Sequence, residues 1–180
     1  ILCPGAGAWR ELLAQRLAYL VKAYGVDGIF IDQVSAAASL PCYASGHEHN
    51  APNEAWACYR HLLALLRSEL KALNPDLVLT SEGISDVFGQ YLDSQQAHQD
   101  WPIPLQPKTI PLDILFRYTF PEYLLNSGCI TPDAAGQYYL RLAHLLGSGF
   151  DFGIADWDAL PLGMCREMRF ALNWHAQLHE

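Results

Sequence analysis

The sequence predicts an α/β fold: about four βα units that form the C-terminal part of a (β/α)8 TIM barrel. Three observations predict it. Amphipathic helical segments alternate with short apolar runs, the pattern of parallel strands joined by helical crossovers. The apolar runs recur at roughly barrel-like intervals rather than at hairpin spacing. Polar side chains stand where each run stops, at the end of the strands where parallel α/β folds keep their sites. A complete barrel takes about 200–250 residues, so the 180 residues here read as one partial barrel, residues 1–180, belonging to a longer protein. The opening Ile1-Leu2-Cys3-Pro4, without Met, agrees with that expectation. An open doubly wound sheet is the alternative, but no Gly-rich phosphate loop follows any strand.

The elements follow in order. Ala8 to Tyr24 reads as a helix with Leu13, Leu17, Leu20, Val21 and Tyr24 on one face. Gly25 is placed to end it, because glycine takes the left-handed conformation at low cost. Val26 to Ile31 is a nearly continuous apolar run, expected to be a strand covered on both faces. A loop from Gln33 to Pro52 follows. Asn53 to Leu73 reads as the second helix, with Trp56, Tyr59, Leu63, Leu66, Leu70 and Leu73 as its stripe, stopped by Asn74-Pro75. Leu77 to Ser81 is the second strand, and a short helix is expected near Ser85 to Leu92. A Gln- and Pro-rich stretch then leads to Ile114-Leu115-Phe116-Arg117-Tyr118, read as the third strand. A helix capped at Thr131-Pro132-Asp133, a fourth strand over Phe150 to Ile154 and a last helix from Gly163 to Leu178 complete the pattern.

The chain is 51% hydrophobic, 12% aromatic and 17% charged, which suffices for a core and excludes intrinsic disorder. Its net charge is −8 with no basic run, which argues against nucleic acid or an anionic membrane as partner. No apolar stretch approaches the length of a spanning helix. A neutral ligand such as a carbohydrate suits the chain better. The five cysteines (Cys3, Cys42, Cys58, Cys129, Cys165) form no CxxC pair, and are read mainly as reduced core thiols.

The strand ends supply the candidate chemistry. The first delivers Asp32 and Gln33, the second Glu82, the third Arg117, and the fourth Asp156 and Trp157. Two carboxylates on neighbouring strands suit glycoside cleavage: one protonates the leaving oxygen while the other supports the oxocarbenium-like centre. The structural alternatives are a backbone-capping loop aspartate for Asp32 and a loop ion-pair partner for Glu82. No cofactor and no metal are expected for that chemistry. Tyr43 and Trp101 offer rings on which a sugar face can stack. Arg117 needs a partner, for which Glu82, Asp156 or a substrate oxygen are candidates. His47 and His49 are candidates for hydrogen bonding to substrate. A second reading takes His47, His49 and Asp32 as ligands of a metal-dependent hydrolase. A third is a carbohydrate-binding barrel without turnover.

The run Gly25-Val26-Asp27-Gly28-Ile29-Phe30-Ile31-Asp32-Gln33-Val34 resembles the fourth-strand motif of a bacterial family of glycosidase-like TIM barrels. Cys42-Tyr43, the His47 loop, the Trp56 to Leu73 helix, Asn74-Pro75-Asp76 and Thr80-Ser81-Glu82-Gly83 resemble it in order and spacing. Those barrels are similar to endo-α-N-acetylgalactosaminidase-type glycoside hydrolases. The resemblance implies Asp32 as nucleophile and Glu82 as acid/base, with a retaining outcome. It spans about Gly25 to Tyr91. It departs at Gly46-His47-Glu48-His49-Asn50-Ala51-Pro52, where the family has a His-x-His-Pro run followed by glycines. Expressed alone, a half barrel would be expected either to be inactive or to complete itself by self-association.

Overall fold

The computed structural model of the chain describes residues 2–34, 40–97 and 112–127. The fold divides into two compact units, Ile1–Gln95 and Gln96–Glu180. The expected helix from Thr131, the fourth strand and the last helix lie outside the described residues.

In the first unit, α1 covers Gly7–Tyr24 and ends at Gly25, whose φ of 59° is left-handed and whose N–H closes on Val21 O at 3.1 Å. The face α1 buries differs from the expected stripe. Arg10, Ala14 and Val21 are buried and Leu13 and Leu17 pack partly, whereas Leu20 and Tyr24 face outward. α1 has apolar residues on more than one side, so spacing alone did not select the packed face. β1 is Gly28–Ile31. A 3-10 helix, Pro52–Cys58, leads into α2, Tyr59–Leu73. The Glu54 carboxylate accepts from the amides of Asn50 and Ala51 at 3.1 and 3.2 Å and fixes the entry to the 3-10 helix. α2 stops before Pro75, as expected: Asn74 is extended, and its side chain accepts from the Asp76 amide at 3.0 Å.

β2, Val78–Glu82, pairs with β1 in parallel, with Gly28 opposite Val78 and Ile31 opposite Ser81. The chain thus makes a βαβ unit in which α2 is the crossover. The expected helix after β2 is short, α3 at Asp86–Gly89, capped by Ser85, whose side chain accepts from Phe88 N. β3, Ser94–Ala97, begins beside β2, where Asp93 N donates to Leu79 O at 2.7 Å.

The core lies between the helices and one face of this sheet. Leu62, Leu63, Leu66 and Leu70 of α2 pack with Ile29, Ile31 and Leu79, and all are buried. Full burial of each such side chain stabilises by about 1.5–3 kcal/mol. Burial alternates along both strands, which corrects the expectation of coverage on both faces. The opposite face carries Phe30 and Val78, each nearly half exposed.

In the second unit, α4 covers Leu112–Thr119 and β4 Leu125–Ser127. The segment read as the third strand, Ile114 to Tyr118, is therefore helical. Phe116 is buried while Leu115 and Tyr118 face solvent, which is not a strand's alternation. Phe116, Phe120 and Tyr123 form a ring cluster with centroids 5.0–6.0 Å apart. The i, i+4 spacing of the two phenylalanines fits the helical turn that Phe120 N closes on Phe116 O at 2.8 Å. A short apolar run carries no periodicity that separates the two states.

Candidate functional site

The β1–β2 register brings the two candidate carboxylates level. Ile31 lies opposite Ser81, so one residue further Asp32 follows Ile31 and Glu82 follows Ser81. By the two-residue alternation Glu82 points to the sheet face opposite the leucine core, the face of Phe30 and Thr80, and Asp32 stands one residue past the end of β1. Asp32 is exposed and Glu82 half-buried. The strand ends are tied beneath them: the buried Ser81 hydroxyl donates to Ile31 O at 2.7 Å. Immediately after each carboxylate the backbone enters the left-handed region, at Gln33 with φ 60° and at Gly83 with φ 83°. Glycine adopts that conformation freely, whereas a side chain such as Gln33 does so at a cost of roughly 1–2 kcal/mol. Both strands thus end in a sharp turn just after the carboxylates.

The loop after β1 and the segment before α1 meet at the same end of the sheet. α1 runs into the start of β1, so its N-terminus lies toward the end where β1 stops, and the N-terminus of α2 lies there too. Here Cys3, Cys42, His47 and His49 converge, with one donor atom from each lying within 4.8 Å of the others. Cys42 Sγ is 3.3 Å from His47 Nδ1, and Cys3 Sγ is 3.5 Å from His49 Nε2. The two imidazoles meet edge to face at 5.9 Å. Gly5 N donates to Cys3 Sγ at 3.3 Å, Glu48 N to Gly5 O at 2.9 Å, and Cys58 Sγ to Glu48 O at 3.1 Å. The buried Arg10 donates to Pro4 O at 2.8 Å and pairs with the Glu48 carboxylate. That bond from Arg10 holds the Glu48 carboxyl below its ordinary range. Burial pushes the Cys3 and Cys58 thiols up.

Beside this cluster lies a cavity of about 390 Å³ lined by Cys3, Leu40, Cys42, Tyr43, Trp56 and Tyr59, among others. Tyr43 is 82% exposed and Trp56 43%, so both present ring surface to a ligand. Burial raises the Tyr59 hydroxyl above its ordinary value, which keeps it a neutral donor.

The remaining candidates separate. Gln33 is exposed at the strand tip. Arg117 stands in the last turn of α4, not at a strand end, and donates to the carbonyls of Pro121 and Tyr123 at 3.2 and 2.9 Å. Its guanidinium closes its own helix, which corrects its expected place at a strand tip. Trp101, Asp156 and Trp157 lie outside the described residues. The metal reading is corrected in composition: among the described residues His47 and His49 gather with Cys3 and Cys42, and Asp32 is not in the group. Cys3 and Cys42 are half-buried loop thiols rather than core residues, while Cys58 is buried as expected. Trp56, read as part of a core stripe, lines the cavity instead. The local signal available was Cys42-x4-His47-x-His49; Cys3 is too distant in sequence for any spacing rule to include it.

A protein from Bacteroides thetaiotaomicron, described as a candidate glycoside hydrolase, is 28% identical over 137 residues, 72% of this chain and 20% of that protein. A second candidate glycoside hydrolase, from Monosiga brevicollis, is 29% identical over 80 residues, 44% of this chain and 7% of that protein. The chain thus spans a fifth or less of these relatives. The fold is similar to that of an α-galactosidase from Thermus thermophilus solved with stachyose, with a TM-score of 0.62 and 18% identity over 95% of this chain and 39% of the other. Residues 1–131 match the family described as a domain of unknown function, DUF6259, and the chain belongs to that family.

Proposed function

We propose that this chain supplies part of the catalytic barrel of a glycoside hydrolase, with Asp32 as nucleophile and Glu82 as general acid/base. The observation that carries the reading is the level placement of Asp32 and Glu82 at the tips of adjacent parallel strands. Neighbouring strands lie about 4.8 Å apart, and retaining glycosidases hold their carboxyls about 5–5.5 Å apart. Asp32 attacks the anomeric carbon as Glu82 protonates the leaving oxygen. Water, deprotonated by Glu82, then releases the sugar from Asp32 with net retention. The half-exposed Phe30 and Val78 suit an inner barrel wall, which further strands of the same protein complete. Tyr43 and Trp56, at the cavity on the same end, offer stacking surfaces for the sugar. The descriptions of the two relatives and the α-galactosidase likeness support a glycosidase. The motif resemblance directs the test to α-linked N-acetylgalactosamine, and the solved structure with a similar fold directs it to α-linked galactose.

The test uses the full-length protein on aryl α-galactoside and α-N-acetylgalactosaminide, with product configuration read by proton NMR. Asp32→Asn and Glu82→Gln are each expected to lower kcat by at least about a thousandfold with unchanged circular dichroism. Near wild-type turnover in either variant overturns the assignment, and an inverted product overturns Asp32 as nucleophile.

A further inference from the structure

We propose that Cys3, Cys42, His47 and His49 bind one zinc ion in a closed tetrahedral site that fastens the loop between β1 and α2 to the segment before α1. The inference is independent of the glycosidase reading, since it concerns a binding site and not a reaction.

The donor set and its spacing carry it. Zinc binds thiolate at about 2.3 Å and imidazole at about 2.0–2.1 Å. A tetrahedron with those bonds has edges of roughly 3.3–3.8 Å between donor atoms. The Cys42–His47 and Cys3–His49 edges, 3.3 and 3.5 Å, already fall in that range. The whole quartet lies within 4.8 Å, so closing onto an ion needs side-chain adjustment rather than movement of the backbone. Thiolate and imidazole donors together select zinc over magnesium or calcium, which take oxygen. On binding, the two thiols release their protons to solvent, and the two thiolates neutralise the ion. Four protein donors leave no coordination position for water, so the ion acts as a clamp and not as a catalyst.

The surroundings are arranged as an outer shell. The Gly5 amide donates to the Cys3 sulfur. The ring of His49 lies against Gly5 so closely that a Cβ there would sit 2.9 Å from His49 Cδ2. Glu48, between the two histidines, is held through its amide by Gly5, through its carbonyl by Cys58 and through its carboxylate by Arg10. Such partners orient first-shell ligands. The clamp also has a structural purpose. Residues 40–51 form no helix or strand, and Leu40 and Tyr43 are exposed. A cross-link to the chain 39 residues upstream of Cys42 would tie this loop down.

The experiment measures metal directly. The reduced full-length protein, incubated with zinc and desalted, is expected to hold about one equivalent that its Cys42→Ala variant lacks, by mass spectrometry of the elements. Cobalt(II) in place of zinc should give tetrahedral visible bands with thiolate-to-cobalt charge transfer. Cys42→Ala and His47→Ala should each weaken binding at least about a hundredfold, Gly5→Ala about ten- to a hundredfold, and Cys58→Ser should keep the full equivalent. Chelation should expose the 40–51 loop to protease. A reduced wild-type chain that takes up neither zinc nor cobalt overturns the proposal, and this arm does not depend on any variant folding. Retention of the full equivalent in both Cys42→Ala and His47→Ala overturns it equally. So does a Cys3–Cys42 disulfide that resists reduction and bars metal.

Discussion

Replacing Asp93 tests how the sheet is fastened to the crossover helix beneath the candidate catalytic end. Asp93 Oδ2 accepts from Leu79 N at 2.8 Å in the middle of β2, and Lys71 Nζ lies 2.9 Å from the same oxygen. Arg67 Nη1 lies 3.1 Å from Oδ1. One carboxylate thus joins β2 to two cations of α2. Asp93→Asn keeps an oxygen for Leu79 N but gives up the charge. The ion pairs are partly solvated, so their loss costs about 1–2 kcal/mol together. Asp93→Ala also strands the amide of Leu79, a residue that is 1% exposed, which adds about 1–3 kcal/mol. Urea unfolding should therefore rank wild type above Asn above Ala at pH 7. Acid supplies the second arm. Burial raises the Asp93 carboxyl, but the Leu79 amide, Lys71 and Arg67 outweigh it and hold the group below its ordinary 3.8. A depressed carboxylate stabilises the fold above its unfolded value and loses that contribution as pH falls through the folded one. The gap between wild type and Asp93→Asn should stay constant from pH 7 to about 5 and close below about 4. Equal stability of all three proteins at pH 7, or a gap unchanged into strong acid, refutes the reasoning.

Two further expectations concern the scaffold. Leu66→Ala, at a fully buried position of α2, should cost about 2–5 kcal/mol in urea unfolding, and a cost below 1 kcal/mol would mean that the helix does not pack as described. Gly25→Ala meets no atom within 4 Å but keeps a φ of 59°. It should destabilise by about 1–2 kcal/mol through backbone strain alone, lowering the Tm by about 2–8 °C, and an unchanged Tm would refute the left-handed cap.

The legible parts of this chain are those in which local chemistry has one solution. α2 announced itself by leucines at three- and four-residue spacing, and Leu63, Leu66 and Leu70 are buried. Its end at Asn74-Pro75 and the end of α1 at Gly25 followed from backbone sterics. The strand Val78 to Ser81 was short, apolar and bounded by turn residues, and it carries Glu82 at its tip. Asp32 and Glu82 were legible for the same reason, as polar residues ending apolar runs. The Leu112–Thr119 segment was not, because eight residues of mixed apolar character fit either state until Phe116 meets Phe120 and Tyr123.

The amino-acid sequence by itself determined the βαβ grammar and the positions of two carboxylates, because periodicity, glycine and proline act within a few residues. Only the tertiary structure decided which face of α1 is buried, that Asp32 and Glu82 stand at one level, and that Cys3 joins Cys42, His47 and His49. Those are meetings between residues tens of positions apart. They depend on strand register and on how loops close, and neither is encoded in the spacing of neighbours along the chain.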